Sequence, residues 1–340
     1  MNESKAVFTI CVPSFNRGNK ALELVKEVLP ALEVGWELML IDNCSFNECA
    51  GYEEIAGIAR GSSGGLIYRR NTCNVGFHGN YLNCLREPAG EIVMVLSDED
   101  RPNIPIISKA LAMIREHPGI SVIRGSIAPQ KPADPRKNSF QLKDDLYPAG
   151  KCALTSFALT NNYFSGTIYN RALLARHGII ERLEKNLSMH RDYPHLYLEG
   201  LACAVGDVAL CAEISCYEGV PQMVADGANP YRYITPYSIG GRLDQFVVLR
   251  DCLREAVEMM SDPFDSELFG NLYLRHTAKF FHLIGRANAA LYAKNGIDVG
   301  VAVRAFAYFA CAAMIRLKEC EQHRDFMMEE IERLARQFGG

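Results

Sequence analysis

In the stretch Ile92-Val93-Met94-Val95-Leu96-Ser97-Asp98-Glu99-Asp100, an apolar run ends in three consecutive carboxylates. Carboxylates held side by side repel one another, so such a cluster favours a bound divalent cation. Hard oxygen donors suit Mg2+ or Mn2+. The same residues also suit a plain acidic turn facing water. The run before them is bounded by Gly90, too short for a helix, and reads as a strand buried on both faces; taken alone it leaves both readings open. In an open α/β sheet, ligands bind beyond the C-terminal ends of such strands.

Other polar segments sit at comparable places. The strand predicted over 7–12 is stopped by Pro13 and leads into Pro13-Ser14-Phe15-Asn16-Arg17. The strand over 37–41 ends in Asp42-Asn43-Cys44-Ser45, and a short strand over 66–68 is followed by Asn71-Thr72-Cys73-Asn74-Val75-Gly76-Phe77-His78-Gly79-Asn80. If these strands are parallel, all of these residues meet at one sheet edge. Taken singly, each has a plain structural reading: a strand stop at Pro13 and Ser14, an Asx-turn at Asp42 and Asn43, a tight turn at Asn74 to Gly76.

The elements that must position them alternate. Helical periodicity is predicted over 19–32, where Leu22, Val25, Leu29 and Leu32 share a face, and over 52–59 and 78–86. Asn103 is placed to cap a helix carrying Ile107, Leu111 and Ile114, and a further strand follows over 121–124. This rhythm implies an α/β fold with a mainly parallel sheet and right-handed crossovers. Residues 128–150, rich in Pro, Lys and Asp, read as a loop; a helix follows Pro194, and 208–217 is strand-like. From Ser238 onward Leu243, Phe246, Val247, Leu253, Val257 and Met260 recur at helical spacing. The expected division is an α/β domain over 1–235 and a helical region over 236–340.

Order and spacing together make the first 220 residues or so resemble a family 2-type glycosyltransferase of the GT-A fold, a Rossmann-like α/β architecture with helices on both sheet faces. The resemblance implies that the turn Pro13, Ser14, Phe15, Asn16 cradles the base and ribose of a nucleotide-sugar, and that Asp42 accepts hydrogen bonds from them. Asn74, Gly76 and Asn80 would form the adjoining wall, with Gly76 free to take positive φ. It further implies that Asp98 and Asp100 hold the metal against the diphosphate, with Ser97 and Glu99 beside the nucleotide-sugar. Ser97 stands where many relatives carry another Asp, so the pair of acids facing the ion stays open.

The family uses a carboxylate base to deprotonate the acceptor hydroxyl in an inverting transfer. Here Asp192, in Ser188-Met189-His190-Arg191-Asp192-Tyr193-Pro194-His195, is the candidate, with Arg191 where a Glu is usual. Asp192 is equally well placed to cap the helix after Pro194. His190, Asp192 and His195 also spell a metal-type H-x-D-x-x-H, a weaker reading than contact between His195 and the leaving diphosphate or metal. Phe164-Ser165-Gly166-Thr167 would fall on the acceptor side, where Gly166 fits either a sugar ring or a strand bend. Arg69 and Arg70 read as solvated strand-end arginines before phosphate ligands.

Composition excludes several classes. A net charge of −4 over 340 residues gives no general attraction for nucleic acid or anionic lipid. Twelve cysteines without a CxxC pair or zinc spacing fit reduced thiols. No signal peptide and no stretch approaching the ~20 apolar residues of a membrane span is seen, so the expectation is a cytoplasmic protein, peripheral to the inner membrane face if its acceptor is lipid-linked. Residues 305–315 are uncharged; packing on the catalytic domain or in a homodimer is favoured over membrane contact. The resemblance implies a UDP-sugar donor and a glycan or lipid-linked acceptor. Two alternatives stay open: a catalytically degenerate nucleotide-sugar-binding scaffold, and a sugar-phosphate nucleotidyltransferase, against which the glycine-poor turn after the first strand counts.

Overall fold

The computed structural model describes residues 7–62, 65–130, 141–158, 163–187, 193–220, 238–260, 263–294 and 296–339. The chain divides between Asn229 and Pro230 into two compact units.

The first unit opens with β1 (Phe8–Ser14), α1 (Gly18–Val28), β2 (Trp36–Asp42), α2 (Cys49–Gly61), β3 (Leu66–Arg70), α3 (Gly76–Arg86) and β4 (Ile92–Val95). It continues through β5 (Arg101–Pro102), α4 (Ile104–Glu116), β6 (Ile120–Pro129), β7 (Asp145–Tyr147), α5 (Lys151–Ser156), β8 (Thr167–Asn170), α6 (Arg171–Arg176), α7 (Ile179–Lys185), α8 (Pro194–Val205) and β9 (Asp207–Glu218). Among the described residues the strands form one sheet ordered β3-β2-β1-β4-β8-β6-β9-β5, with β7 on β9.

The half that carries β1 to β4 is parallel, as alternating strands and helices require. The other half is mixed: β8 enters antiparallel between β4 and β6, and β6 and β9 are parallel. Part of the segment expected to be loop extends β6 to Pro129, and β7 lies within it, antiparallel to β9. The first strand also runs through Pro13 rather than stopping there. Its pairing with β4 ends at Cys11, so at Pro13 the strand is paired on one side, where a missing N–H is tolerated.

Burial follows the apolar residues, but over 19–32 the expected face is shifted: Val25 is buried, while Leu22, Leu29 and Leu32 are only partly so. Every residue of β2 is buried, including Glu37, whose carboxylate accepts from Thr9 Oγ1 at 2.6 Å. On α1, Leu24, Val25 and Val28 turn to the core, each contributing about 1.5–3 kcal/mol by leaving water. Gly18 and Gly51 let α1 and α2 cross closely, since a Cβ at Gly51 would meet the Gly18 backbone at 2.4 Å. Asn103 precedes α4, but its side chain makes no cap; Nδ2 donates instead to the Ile214 carbonyl at 2.8 Å, tying the helix to β9.

The second unit is helical: α9 (Ile239–Met260), α10 (Ser266–His282), α11 (Ala289–Lys294), α12 (Val299–Ile315) and α13 (Arg324–Gly339). Its core gathers rings from three helices, with Phe246 against Tyr273, Phe280 and Phe306. The uncharged stretch of α12 buries Phe306, Ala310 and Met314, while Val301, Tyr308 and Ile315 face outward. Among the described residues, no single helix is long and apolar enough to cross a membrane.

Candidate active site

Parallel pairing places the β1 and β2 tips side by side, with Ser14 in register with Asp42. The acid triplet lies just past β4, whose last residue pairs with Cys11 of β1. The candidate site is therefore three adjacent strand ends, as the spacing led one to expect.

Ser14 joins them. Its Oγ donates to Asp98 Oδ2 at 2.6 Å and accepts from Tyr52 OH at 2.7 Å, and its carbonyl accepts from Asn43 N at 2.9 Å. Burial pushes the Tyr52 hydroxyl up to about 12, so it remains a donor at neutral pH. Asn16 sits at φ 55°, which Asn tolerates, and its Oδ1 accepts from Phe46 N and Asn47 N. Phe15 lies edge-on to Phe46, ring centroids 5.9 Å apart.

Asp42 is fully buried and accepts from Ser45 N, Tyr68 OH and Arg70 Nη1 at 2.9, 3.1 and 2.9 Å. Arg70 is therefore both solvated, its side chain 43% exposed, and a strut for Asp42, and the exposed Arg69 lies 3.9 Å from Glu87. The neighbouring wall is a lattice of asparagines. Asn74 Oδ1 accepts from Asn43 Nδ2 and Gly76 N, and Asn80 Nδ2 donates to the Ile41 carbonyl. Gly76 takes φ 74°. Asn71 knits the lattice together, donating to both Asn43 and Asn80.

The acid triplet is tightly held. Arg17 Nη1 donates to Asp98 Oδ1 at 2.9 Å and to Glu99 Oε2 at 3.0 Å. Asp100 Oδ2 accepts from Tyr163 OH at 2.6 Å and Oδ1 from Gly219 N at 2.8 Å. Ser97 N donates to Ser165 Oγ at 2.9 Å. Burial pushes the Asp98 carboxyl above its ordinary value, against the pull of Arg17 and Ser14. Burial alone would lower Arg17, but Asp98 and Glu99 outweigh it and hold the guanidinium above its ordinary value.

This bears on the expected metal. Two Asp and a Glu are the right chemistry for Mg2+ or Mn2+. Yet all four carboxylate oxygens of Asp98 and Asp100 accept hydrogen bonds from the protein, and both residues are buried. Among the described residues no group of three His, Cys, Asp or Glu is placed to hold an ion. Ligating carboxylates are themselves hydrogen-bonded and each oxygen keeps a second acceptor site, so Asp98 and Asp100 would hold such an ion only with further ligands from a diphosphate or water.

On the other flank, Gly166 takes φ 79°, and a Cβ there would meet Cys216 Sγ at 2.8 Å, so a strand bend and close packing account for it. His195 is buried among rings, with Tyr81, Phe164 and Tyr193 centroids 6.2, 5.8 and 5.7 Å away. Asp192 and His190 lie outside the described residues. The roles of Arg17, Tyr52, Tyr163 and Gly219 carry no local signal in the sequence. For Asn71, the recurrence of Asn at 71, 74, 80 and 83 was a usable hint.

A doubly flanked sheet with its ligand-type residues at the parallel strand ends, followed by an antiparallel insertion and a helical tail, is the architecture of GT-A glycosyltransferases. The model of the family described as Glycosyl transferase family 2 matches residues 9–178, and the chain belongs to this family. Solved structures share the fold over nearly the whole chain. TarS 1-349 of S. aureus in complex with UDP is 16% identical, covering 98% of this chain and 89% of its own, with a TM-score of 0.58. A mannosyltransferase, PcManGT from Pyrobaculum calidifontis in complex with GDP-Man and Mn2+, is 16% identical over 98% of this chain and 87% of its own, with a TM-score of 0.50. An uncharacterized protein of Mycobacterium tuberculosis is 25% identical over 101 residues, 30% of this chain and 30% of its own length.

Proposed function

We propose that this glycosyltransferase moves a sugar from a UDP-sugar to a hydroxyl of a glycan or lipid-linked acceptor, with inversion at the anomeric carbon. One observation carries the reading: the β1, β2 and β4 ends, bearing Ser14, Asp42 and Asp98, meet at one edge and are bonded to one another through Ser14. A nucleotide-sugar lies across such an edge with its base towards the Asp42 side and its diphosphate towards the acid triplet. The TarS complexes with UDP and with UDP-GlcNAc support uridine as the nucleotide.

In the transfer, the acceptor oxygen bonds to the anomeric carbon as the bond to the diphosphate breaks, and its proton passes to Asp192. The cleft contributes by aligning the two partners, which removes the entropy of bringing them together. Asp192 lies two positions before α8 in the sequence, next to the N-cap residue Tyr193, and Pro194 opens the first helical turn. Asp98 and Asp100 would hold a Mg2+ or Mn2+ against the diphosphate, where the ion would neutralise the charge of the leaving group. Twelve free cysteines support a reducing, cytoplasmic setting.

The internal engagement of Asp98 and Asp100 also favours a second reading, a scaffold that binds nucleotide-sugar without turnover. A thermal-shift panel of UDP-, GDP- and dTDP-sugars identifies the donor, because a ligand that binds the folded state raises its melting temperature. Donor hydrolysis or transfer is then followed in the native chain and in Asp192→Asn. Retained donor affinity with transfer lowered by about 100-fold or more supports the base. No stabilisation by any nucleotide-sugar would sink the proposal, and binding without turnover would favour the scaffold.

A further inference from the structure

The turn between β1 and α1 carries hydrogen-bond donors that the protein itself does not use. Arg17 engages Asp98 and Glu99 through a single nitrogen, Nη1. Its Nε is buried without a hydrogen-bond partner, and the hydrogen bonds of its side chain to described residues both come from Nη1. The adjacent Asn16 is 3% exposed, and its Nδ2 is likewise buried without a partner, although its Oδ1 is doubly bonded. Buried donors are normally satisfied, so two orphans on consecutive residues ask for an acceptor from outside the chain.

The chemistry of that acceptor follows from the donors. Both are N–H groups, so the ligand atom is a hydrogen-bond acceptor. The Nε–Nη2 edge of a guanidinium presents two parallel N–H bonds, a fork that matches two oxygens of one phosphate. The acids on Nη1 fix the plane of the fork and keep it charged, so little side-chain freedom is lost when an anion arrives. The Arg17 side chain is 24% exposed. Asn16 is held just as firmly by Phe46 N, Asn47 N and Ser45 Oγ.

We propose that Arg17 and Asn16 are the chain's own ligands for the diphosphate of the donor, Arg17 through its Nε–Nη2 edge and Asn16 through Nδ2. This rests on the nucleotide-sugar reading and moves Asn16 from the base and ribose to the phosphates. It also gives the leaving diphosphate a protein-borne positive charge beside Asp98 and Glu99. Arg17 is then a binding residue that the sequence pattern did not single out.

Calorimetric titration of UDP and uridine, and of GDP and guanosine, in EDTA separates the phosphates from the nucleoside. Arg17→Met and Asn16→Asp, the latter keeping Oδ1 and removing the donor, are each expected to weaken the diphosphate by at least about tenfold, the scale of one charge-assisted hydrogen bond. Nucleoside affinity should stay within about twofold, and Arg17→Lys should recover part of the loss. Because Arg17→Met strands the buried Asp98 carboxylate, the double variant Arg17→Met/Asp98→Asn repeats the measurement with both charges removed. Equal loss of nucleoside and diphosphate, or unchanged diphosphate affinity in these variants, overturns the assignment while leaving the donor reading intact. Native protein that binds none of the four ligands overturns both.

Discussion

Gly219 donates its backbone N–H to Asp100 Oδ1 at 2.8 Å, while its α-carbon packs so closely on the acid triplet that a Cβ would lie 1.9 Å from the Glu99 carbonyl oxygen. The end of β9 thus sets the position of the loop after β4. Gly219→Ala must push the two apart. Donor affinity and kcat/KM are expected to fall by tenfold or more, on the scale of about 1 Å of misplacement, whereas Gly61→Ala, with nothing within 4 Å of its Cβ, should leave both unchanged. Equal kinetics for the two variants would remove the role given to Gly219.

Ser14 offers a second handle on the same loop. Ser14→Ala removes the donor to Asp98 Oδ2 and the acceptor of Tyr52 OH, leaving two buried groups short of a partner. A loss of about 1–3 kcal/mol is expected, measured as a shift in the denaturant midpoint at constant m. An unshifted midpoint would show that the hydroxyl is not what holds the β1 and β4 ends together.

Away from the site, Arg124 and Glu199 form an ion pair 2% and 0% exposed, joining β6 to α8, and Glu199 also accepts from Tyr169 OH at 3.2 Å. Removing one charge strands the other. Arg124→Met should cost about 3–5 kcal/mol, and Arg124→Met/Glu199→Leu should recover most of it. If the double variant is no more stable than the single, the pair is not a charge-compensation unit.

His276 makes the helical unit sensitive to acid. Burial lowers its pKa from 6.5 to about 3, its ring stacks on Phe246 at 4.8 Å, and Nε2 donates to the Phe246 carbonyl at 3.0 Å. The unfolded chain takes up a proton below pH 6.5 that the folded ring refuses. Its contribution is therefore complete above that pH and declines as pH falls towards 3, by roughly 3 kcal/mol at pH 4. His276→Gln, which keeps a donor for Phe246, should show a shallower fall in melting temperature between pH 7 and 4. Parallel curves for the two proteins would count against a neutral, buried His276.

Much of this is legible in the sequence. The apolar run at 92–96, the Asn and Gly punctuation at 71–80 and the Pro13 turn are local signals, and their order is enough to imply a sheet whose ends meet. The Asn103 cap failed as a reading because β9 offered its side chain a better partner, the Ile214 carbonyl. Arg70 is solvated, as its place at a strand end implies, but its partner Asp42 lies 28 residues away, so nothing local signals the pairing.

The sequence by itself determined the order of the strands and the polar turns that follow them, and hence which family of chemistry this chain belongs to, because strand and turn preferences act over a few neighbouring residues. Where each strand stops shifted by a few positions. Tertiary structure decided what those residues do to each other. Asp98 meets Ser14 across 84 residues, Asp100 meets Tyr163 across 63 and Gly219 across 119, and Arg17 reaches Asp98 across 81. Whether a carboxylate faces a ligand or a neighbouring hydroxyl is set by packing between distant segments, and no pattern within one segment encodes it.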